Sequence, residues 1–439
     1  MRKRWLLLAL VAMLALFAGA CGGDDDEAGG GGGGTTAEET GEAVSGNISI
    51  MGIWSGAEQK SFQAVLDGFK KENPDVTVKF TSAGDQLPTQ LATAVEGGNP
   101  PHVAFVAQPG LVSDFAERGA LKPIGFAEDD VRTNLGESAV QLGTVDGKLY
   151  GFLFKAANKS TVWYNVSAFE DAGVEPPETW EDFLQAADTL NQSGIPAYSI
   201  GGSDGWTLTD LFENIYLRQA GAENYDKLSR HEIPWTHQSV KDALREMAKI
   251  VGDRQNIAGG TQGALQTDFP TSVSNVFSRS PKAAMVIEGD FVPGVVESPI
   301  EPETGYNVFG FPAIGDSPPS IVGGGDTLVM FKDTPATRAL VRYLTSADAA
   351  QIWAKRGGFA TLNKNVDAGV YPDPIQQATA GALGEAEVFR FDLSDLQPSA
   401  FGGTVGQGLF KLFQDFLKNP QNVDGITQQM EAAAAKAFK

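Results

Sequence analysis

Short apolar runs alternate with amphipathic stretches through the first part of the chain. The run Asn47 to Ile53 predicts a strand, and apolar residues recur at helical spacing from Ala57 to Glu72, which predicts a helix. Further strands are predicted over Val76 to Thr81 and His102 to Val106, with a helix between them over Pro88 to Glu96. This alternation is typical of an α/β sheet that is covered on both faces.

Ligands of such sheets usually bind at the loops that follow the strands. In this part of the chain those loops are Trp54 to Gly56, Ser82 to Gln86 and Ala107 to Pro109. We therefore expect a ligand site near these three loops.

The pattern changes between Asp146 and Asn165. Two strand-like runs, Leu149 to Phe154 and Thr161 to Tyr164, enclose the polar stretch Lys155 to Ser160. Because strands and helices alternate on both sides, we interpret the region as a crossover between two lobes, with Lys155 to Ser160 as a hinge strand. Ligand sites often lie in clefts of this kind.

The same alternation continues to the end of the chain, and the later segments are expected to cross between the lobes again, near Tyr306 to Phe331 and after Phe359. The main predicted elements are a helix over Trp180 to Asn191 capped by Thr179, a strand over Ile195 to Ile200, helices over Thr209 to Ala220 and Ser239 to Val251, strands over Ala283 to Ile287, Tyr306 to Phe311 and Thr327 to Phe331, a helix capped by Thr334, and helices over Ser346 to Lys355 and Val423 to Phe438.

The N-terminus predicts export. Basic residues at Arg2 to Arg4 precede the apolar run Trp5 to Phe17 and the small residues Ala18 to Ala20, as in a signal peptide. The chain's only cysteine, Cys21, follows directly. The segment Ala18 to Cys21 resembles a bacterial lipobox, although Ala18 stands where leucine is usual. This resemblance implies that Cys21 is lipidated and becomes the new N-terminus; the alternative is an ordinary signal peptide that a cysteine happens to follow.

Composition sets further bounds. The 439 residues exceed a usual single domain and 42% of them are hydrophobic, so two lobes with real cores are expected. Residues 21–46 are acidic and glycine-rich, with six glycines from Gly29 to Gly34, and predict a flexible tether. The net charge of -22 argues against binding to nucleic acid or to anionic lipid headgroups. Membrane contact is therefore expected through the lipid on Cys21.

Several segments together resemble extracellular solute-binding proteins of the sugar-binding family 1, which serve ABC importers. They are the lipobox, "NISIMGIWSG", "NPPHVAFV", "DGKLYGFLF" with "TVWYN", "AAMVIEGDF" and "YLTSADAAQIWAKRGG", and the resemblance extends over residues 47–439. It implies a two-lobed, periplasmic-binding-protein-like α/β fold of type II, with a discontinuous chain path between the lobes and an interlobe ligand cleft. The segments "IWSGAEQ" and "GGGDTLV" look most like those of α-glucoside-binding members.

On this basis the chain is divided into six segments. We predict a signal peptide at 1–20, the acylated cysteine and tether at 21–46, lobe 1 at 47–156, lobe 2 at 157–310, a return to lobe 1 at 311–365, and C-terminal helices of lobe 2 at 366–439.

A sugar site needs aromatic platforms for the apolar ring faces and charged or amide groups for the hydroxyls. Trp54, Trp206, Phe291 and Phe359 lie at strand ends or beside glycine-rich turns and are the candidate platforms, whereas tryptophans within helices and strands are expected in the core. The polar and small candidates are Ser55, Glu58, Gln108, Lys155, Asn158, Asp204, Glu288, Asp290, Asp326 and Gly358.

Some of these assignments rest on the resemblance, and some have a simpler alternative. The family resemblance selects Lys155 and Asn158, and Asn158 is the one expected to face the sugar. Glu58 could equally serve only to complement a helix dipole, and Asp204 could serve only as a helix cap.

A secreted glycan-active hydrolase is the alternative function. Gly201 to Gly205 fits Gly-x-Ser-x-Gly, but the last histidine, His237, follows it closely and no oxyanion segment is evident. Glu288 and Asp290 could serve as a glycosidase pair. The three histidines and single cysteine form no recognisable metal motif, so neither a metal nor a cofactor is expected.

We therefore predict a monomeric, non-enzymatic receptor, lipid-anchored on the outer face of a bacterial cell membrane. It would capture a small carbohydrate, an α-glucoside or similar, and deliver it to ABC permease subunits. A receptor that feeds a sensor instead of an importer is a further alternative.

Overall fold

In a computed structural model, residues 44–296 and 300–439 can be described. The predicted signal peptide, Cys21 and nearly all of the predicted tether lie outside these residues. The strands are β1 (Gly46–Gly52), β2 (Val76–Ser82), β3 (Val103–Val106), β4 (Thr144–Val145), β5 (Lys148–Leu149), β6 (Gly151–Asn158), β7 (Thr161–Asn165), β8 (Met285–Glu288), β9 (Tyr306–Gly310), β10 (Ser320–Met330) and β11 (Val388–Phe391).

Helices separate most of these strands. They are α1 (Gly56–Glu72), α2 (Leu87–Glu96), α3 (Pro109–Glu117), α4 (Glu128–Asn134), α5 (Glu137–Leu142), α6 (Val166–Ala172), α7 (Trp180–Gln192), α8 (Trp206–Ser229), α9 (Gln238–Val251), α10 (Gly260–Ala264), α11 (Phe269–Val276), α12 (Pro335–Leu344), α13 (Ala347–Ala354), α14 (Pro374–Glu385), α15 (Gly408–Lys418) and α16 (Val423–Ala437).

The larger sheet forms the centre of lobe 1. Its strand order is β11-β10-β3-β1-β2, and β6 also pairs with β10. β1 is parallel to β2 and β3, whereas β10 is antiparallel to β3 and β6. Phe62 of α1 and Trp353 of α13 belong to the apolar core on one face, and Leu91 of α2 and Phe115 of α3 to the core on the other. The predicted sheet covered on both faces is therefore present.

The smaller sheet lies in lobe 2 and has the antiparallel order β8-β7-β9. A separate apolar core joins it to the helices around it, through residues such as Phe183 of α7, Phe212 of α8, Leu244 of α9 and Phe413 of α15. The larger sheet with a core on each face, and the smaller sheet with its own core, give the two-lobed α/β architecture that the sequence predicted; β4 and β5 form a separate two-stranded pair.

Within the described residues, the chain passes between the two lobes three times. β6 of the larger sheet leads through Lys159 and Ser160 to β7 of the smaller one, β9 leads back to β10, and the segment after β11 leads to α15. We call these connections the first, second and third crossings. The chain path is therefore discontinuous between the lobes, as expected from the sequence.

The first crossing is shorter than predicted. The residues from Lys155 to Asn158 are still paired with β10, where Ala156 and Ala157 lie opposite Gly325 and Gly324. Small residues on both strands allow the ladder to continue, so only Lys159 and Ser160 lie between the sheets. The third crossing also differs, because β11 still extends the larger sheet and the chain returns to lobe 2 after Phe391, not at residue 366.

The predicted helix starts are confirmed where a capping threonine precedes the helix. Thr179 and Thr334 accept hydrogen bonds from the N–H groups of Asp182 and Thr337 and begin α7 and α12 as predicted. The predicted strand Ile195 to Ile200 is wrong, because only isolated bridges at Tyr198 form there.

Candidate functional site

A cleft between the lobes contains about 1110 Å³ of space not occupied by protein atoms, open solvent included. Its wall combines loops of lobe 1 with residues of α8, α11 and α15 from lobe 2. The residues that form the wall are Ile53, Trp54, Ser55, Glu58, Gly84, Asp85, Pro88, Ala107, Gln108, Lys155, Ala157, Lys159, Trp206, Phe269, Pro270, Phe291, Val295, Gly325, Asp326, Asp395, Gly403, Val405 and Phe410.

The three loops expected to collect ligand all contribute to this wall. Of the individually predicted ligand residues, the wall contains Trp54, Ser55, Glu58, Gln108, Lys155, Trp206, Phe291 and Asp326. The structure places Asn158, Asp204, Glu288, Asp290, Gly358 and Phe359 elsewhere.

Lys155 lies at the centre of a network of polar contacts on the lobe 1 side of the cleft. Its Nζ lies 2.5 Å from Glu58 Oε1, and the β6–β10 ladder places Asp326 directly opposite it. The Trp54 indole N–H donates to Asp326 Oδ2 at 2.9 Å. Lys155 Nζ also lies 5.4 Å from the ring centroid of Phe291, which belongs to lobe 2. This chain of contacts connects the two sides of the cleft.

Burial shifts the pKa values of the ionisable groups in this network. It raises the pKa of the Asp326 carboxyl to about 6, although Lys155 and the Trp54 hydrogen bond act in the opposite direction. Burial alone would lower the pKa of Lys155, but Glu58 and Asp326 outweigh it and the pKa is raised. Lys155 is therefore charged at neutral pH and supplies a fixed donor at the cleft wall.

Lys159 forms a second charged centre. Its Nζ lies 3.1 Å from Asp210 Oδ1, 2.5 Å from Asp392 Oδ2 and 3.8 Å from Asp395 Oδ2. Burial would raise the pKa of Asp392, but Lys159 lowers it to about 2. The Lys159 ammonium also lies 5.5 Å from the ring centroid of Trp206. A cation and an aromatic ring thus meet at this part of the wall.

Three aromatic rings from lobe 2 pack edge to face at the cleft. The ring centroids of Trp206 and Phe269 are 5.1 Å apart, and those of Phe269 and Phe291 are 5.4 Å apart. Trp206 and Phe291 remain partly exposed. They offer apolar surface to a ligand.

Two of the predicted platforms are core residues. Trp54 reaches the wall but is only 1% exposed, because its ring packs against Phe62, Phe105 and Trp353. Phe359 is 3% exposed and stacks on Trp353, 5.1 Å between centroids. Neither ring presents an open face to the cleft.

Asn158 and Asp204 make structural hydrogen bonds. The Asn158 carboxamide oxygen accepts the Ser160 N–H at 2.9 Å and fixes the first crossing, so it does not face the cleft as expected. Asp204 Oδ2 accepts the Phe269 N–H at 2.7 Å. It therefore holds the start of α11, lies outside the cleft wall and does not cap α8.

Glu288, Asp290 and Gly358 are also displaced from the wall. Both carboxylates are buried, and neither Asp290 oxygen has a hydrogen bond of ordinary geometry to another described residue. Burial raises the pKa of Asp290 to about 7. Gly358 donates its N–H to Gln376 Oε1 and lies against Gly294 of lobe 2.

The sequence analysis missed several wall residues. Asp85 lies in the loop Ser82 to Gln86, where a ligand was expected, and Lys159 lies in the polar stretch of the crossover. Both could therefore have been identified from the sequence. No sequence pattern identifies Phe269, Asp395 and Phe410, because only the tertiary fold brings them to the cleft. Asp85 is exposed to the cleft solvent, and partial desolvation by the cleft wall, followed by the charges of Asp204 and Asp268, raises its pKa.

The family model for bacterial extracellular solute-binding proteins matches residues 54–351, which is more than half of the chain. The chain belongs to this family. The sugar-binding family 1 resemblance of the sequence is thereby confirmed, and the family is one of binding proteins.

Two curated relatives of this solute-binding protein cover most of its length. The osmoprotective compounds-binding protein GgtB of Synechocystis sp. is 32% identical over 370 residues, which is 82% of this chain and 87% of the relative. The α-glucosides-binding periplasmic protein AglE of Rhizobium meliloti is 33% identical over 381 residues, 83% of this chain and 81% of the relative.

Solved structures support the fold. The solute receptor AcbH matches with a TM-score of 0.79 at 20% identity, over 90% of this chain and 100% of that one. The solute-binding protein RafE in complex with raffinose matches with a TM-score of 0.72 at 19% identity, over 90% and 100%. Both have the two-lobed fold described above.

The Gly-x-Ser-x-Gly segment lacks a hydrolase geometry among the described residues. The Ser203 hydroxyl donates to Asp204 Oδ1 at 2.9 Å, and no histidine in residues 44–296 or 300–439 hydrogen-bonds to it. His237 accepts the Ser239 N–H at the start of α9. A Ser–His pair of the kind that activates a serine nucleophile is therefore not formed in the part of the chain that is described.

Proposed function

We propose that this protein is an extracytoplasmic receptor that captures a small carbohydrate, an α-glucoside or a similar sugar, by lobe closure and delivers it to the permease of an ABC importer. The observation that carries the proposal is the interlobe wall on which Lys155, Glu58 and Asp326 stand beside the rings of Trp206 and Phe291.

This combination suits a sugar. A pyranose ring has apolar C–H faces that pack on aromatic rings, and its hydroxyl groups donate to carboxylates and accept from ammonium groups. Lys155 supplies donors and Glu58 supplies acceptors within the same network. Both signs of charge are present, so the wall suits an uncharged polyhydroxylated ligand.

One relative supports the narrower choice of ligand. AglE is an α-glucosides-binding protein by name, and the segments of this chain that resembled α-glucoside-binding members, Ile53 to Gln59 and Gly323 to Val329, include cleft residues. We therefore expect an α-glucoside to be preferred over other sugars.

Closure is the step that signals occupancy to a permease. The wall residues come from both lobes, so a ligand that contacts Glu58 on one side and Trp206 on the other favours the closed form. A permease that recognises the closed form then accepts loaded protein in preference to empty protein.

Isothermal titration calorimetry tests the ligand class. The purified protein is titrated with maltose, trehalose and sucrose, and with amino acids and polyamines as controls. Saturable heat with at least one α-glucoside and none with the controls is expected. Exclusive binding of an amino acid or polyamine would contradict the proposal, and turnover of oligosaccharides or aryl glycosides would favour the hydrolase.

We also propose that Cys21 carries the lipid that anchors this monomeric protein. No helix among the described residues has the length and apolar character needed to cross a bilayer. Mass spectrometry of the mature N-terminus is expected to find diacylated Cys21, and Cys21→Ser is expected to release the protein from the membrane fraction. An unmodified N-terminus at another residue would contradict this proposal.

A further inference from the structure

Helix α8 has an unusual buried polar face. Asp210, Glu213, Asn214 and Arg218 follow one another at helical spacing, and they are exposed by 2%, 1%, 0% and 7%. Buried polar and charged groups are costly unless they have partners. Their partners lie in the connections between the lobes.

The first crossing is bound by two of these residues. Asn214 Nδ2 donates to the Lys159 carbonyl at 2.9 Å, and its Oδ1 accepts from the Ser160 hydroxyl at 2.5 Å. Asp210 Oδ1 accepts from Lys159 Nζ at 3.1 Å. The backbone and side chain of Lys159 and the side chain of Ser160 are thus attached to α8.

The second crossing ends where β10 begins, and Arg218 binds there. Its guanidinium donates to the Ser320 carbonyl at 2.7 Å and to Asn214 Oδ1 at 3.1 Å. The Ser160 hydroxyl accepts the Val322 N–H of β10 at 2.8 Å, and the Ser160 carbonyl accepts the N–H of Phe311, at the start of the second crossing, at 2.9 Å.

The third crossing begins directly after β11, and Glu213 binds it. Its carboxylate accepts the backbone N–H groups of Leu393 at 2.6 Å and Ser394 at 2.9 Å. Tyr225, which lies after a break in α8 at Gly221, has its hydroxyl oxygen 3.0 Å from Glu213 Oε2 and 3.1 Å from the Phe391 carbonyl oxygen. One helix therefore holds all three crossings.

Lys159 connects this arrangement to the cleft. Its ammonium bridges Asp210 of α8 to Asp392 in the third crossing, and it also lies against the ring of Trp206, the first residue of α8. Trp206 stands in the cleft wall. The helix that carries an aromatic platform at its start is thus the helix that fixes the hinge.

We propose that α8 is a hinge clamp whose polar face, defined as Asp210, Glu213, Asn214 and Arg218, couples the three crossings, and that Lys159 is the positioning residue that ties this clamp to Trp206. Loss of Lys159 then loosens all three crossings and the first turn of α8 together. The clamp does not depend on the identity of the ligand, so it can hold even where the carbohydrate assignment fails.

Hydrogen–deuterium exchange on the ligand-free full chain tests the clamp. The reporters are the N–H groups of Lys159, Phe311 and Leu393, one at each crossing, and that of Leu208, which donates to the Gly205 carbonyl in the first turn of α8. In Lys159→Met, exchange at all four is expected to be faster by about tenfold or more, since a hydrogen-bonded buried charge is lost.

Two matched variants separate coupling from local damage. Lys159→Arg keeps the positive charge and is expected to restore most of the protection, and Lys411→Met, which removes an exposed lysine of α15, is expected to leave the four reporters unchanged. Faster exchange confined to the first crossing in Lys159→Met would refute the clamp. Should that variant not fold, Asn214→Ser replaces it, with the same pattern required at the three crossings.

Discussion

At the scale of single residues, burial decides which aromatic side chains are accessible to stack against a ligand. Trp54 and Trp206 both line the cleft, but Trp54 is enclosed by other rings whereas Trp206 is partly exposed. The two tryptophans looked alike in sequence, because each lies beside a glycine-containing turn. Their substitution is therefore expected to give different phenotypes.

Trp206→Ala is expected to weaken binding of the sugar that calorimetry identifies by more than about 1 kcal/mol, or roughly fivefold or more in Kd, because it removes a stacking surface. Trp206→Phe, which keeps an aromatic ring, is the control and is expected to lose less. An unchanged Kd in Trp206→Ala, measured by calorimetry on folded protein, would exclude the ring from the site.

Trp54→Ala is expected to lower the free energy of unfolding by about 3 to 5 kcal/mol, because it leaves a cavity among buried rings and removes the donor to Asp326. Urea unfolding followed by circular dichroism measures this loss. A variant as stable as the wild type, with impaired sugar binding alone, would show that Trp54 is a ligand platform after all.

Asp290 gives a pH-dependent prediction. Its pKa rises with burial to about 7 in the folded protein, with Lys155 opposing this shift and Tyr371 nearby, whereas an unfolded aspartate titrates near about 4. The folded state therefore favours the protonated form of Asp290. The stabilisation that this carboxyl contributes is lost as the pH rises from about 4 to about 7.

Asp290→Asn mimics the protonated form. Its free energy of unfolding is expected to fall less between pH 5 and pH 8 than that of the wild type, as measured by urea titration at each pH. Asp316→Asn, at an exposed position, is the control and is expected to follow the wild type. Identical pH profiles for wild type and Asp290→Asn would contradict this assignment.

At the scale of elements, caps and ladders decide where helices and strands begin and end. The Thr334 cap was evident in sequence, because Thr334 precedes Pro335 and a run of apolar residues at helical spacing. The end of β6 was not, because the ladder with β10 depends on glycines more than a hundred residues away. The hinge was consequently predicted to be longer than it is.

Thr334→Ala is expected to lower the free energy of unfolding by about 1 kcal/mol, since the Thr337 N–H would lose its acceptor at the start of α12. Thr334→Ser keeps the hydroxyl and is expected to retain most of that stability. Equal losses in the two variants, measured by urea unfolding, would mean that the threonine methyl and not the cap is responsible.

At the scale of the whole molecule, the lobes are assembled from segments that are distant in sequence. The strand-end loops of lobe 1 and the crossover near Lys155 were predictable, because each follows a local pattern. Asp395 lies in the third crossing and Phe410 follows it, and the partners of Lys159 come from α8 and from the segment after β11. No local pattern predicts such a meeting.

The central claim is that a carbohydrate binds between the lobes and closes them. Small-angle X-ray scattering of the protein without ligand, and then with a saturating amount of the sugar identified by calorimetry, tests it most directly. The radius of gyration is expected to decrease with the sugar and to remain constant with an amino acid control. An unchanged radius of gyration at saturating sugar would contradict capture by lobe closure.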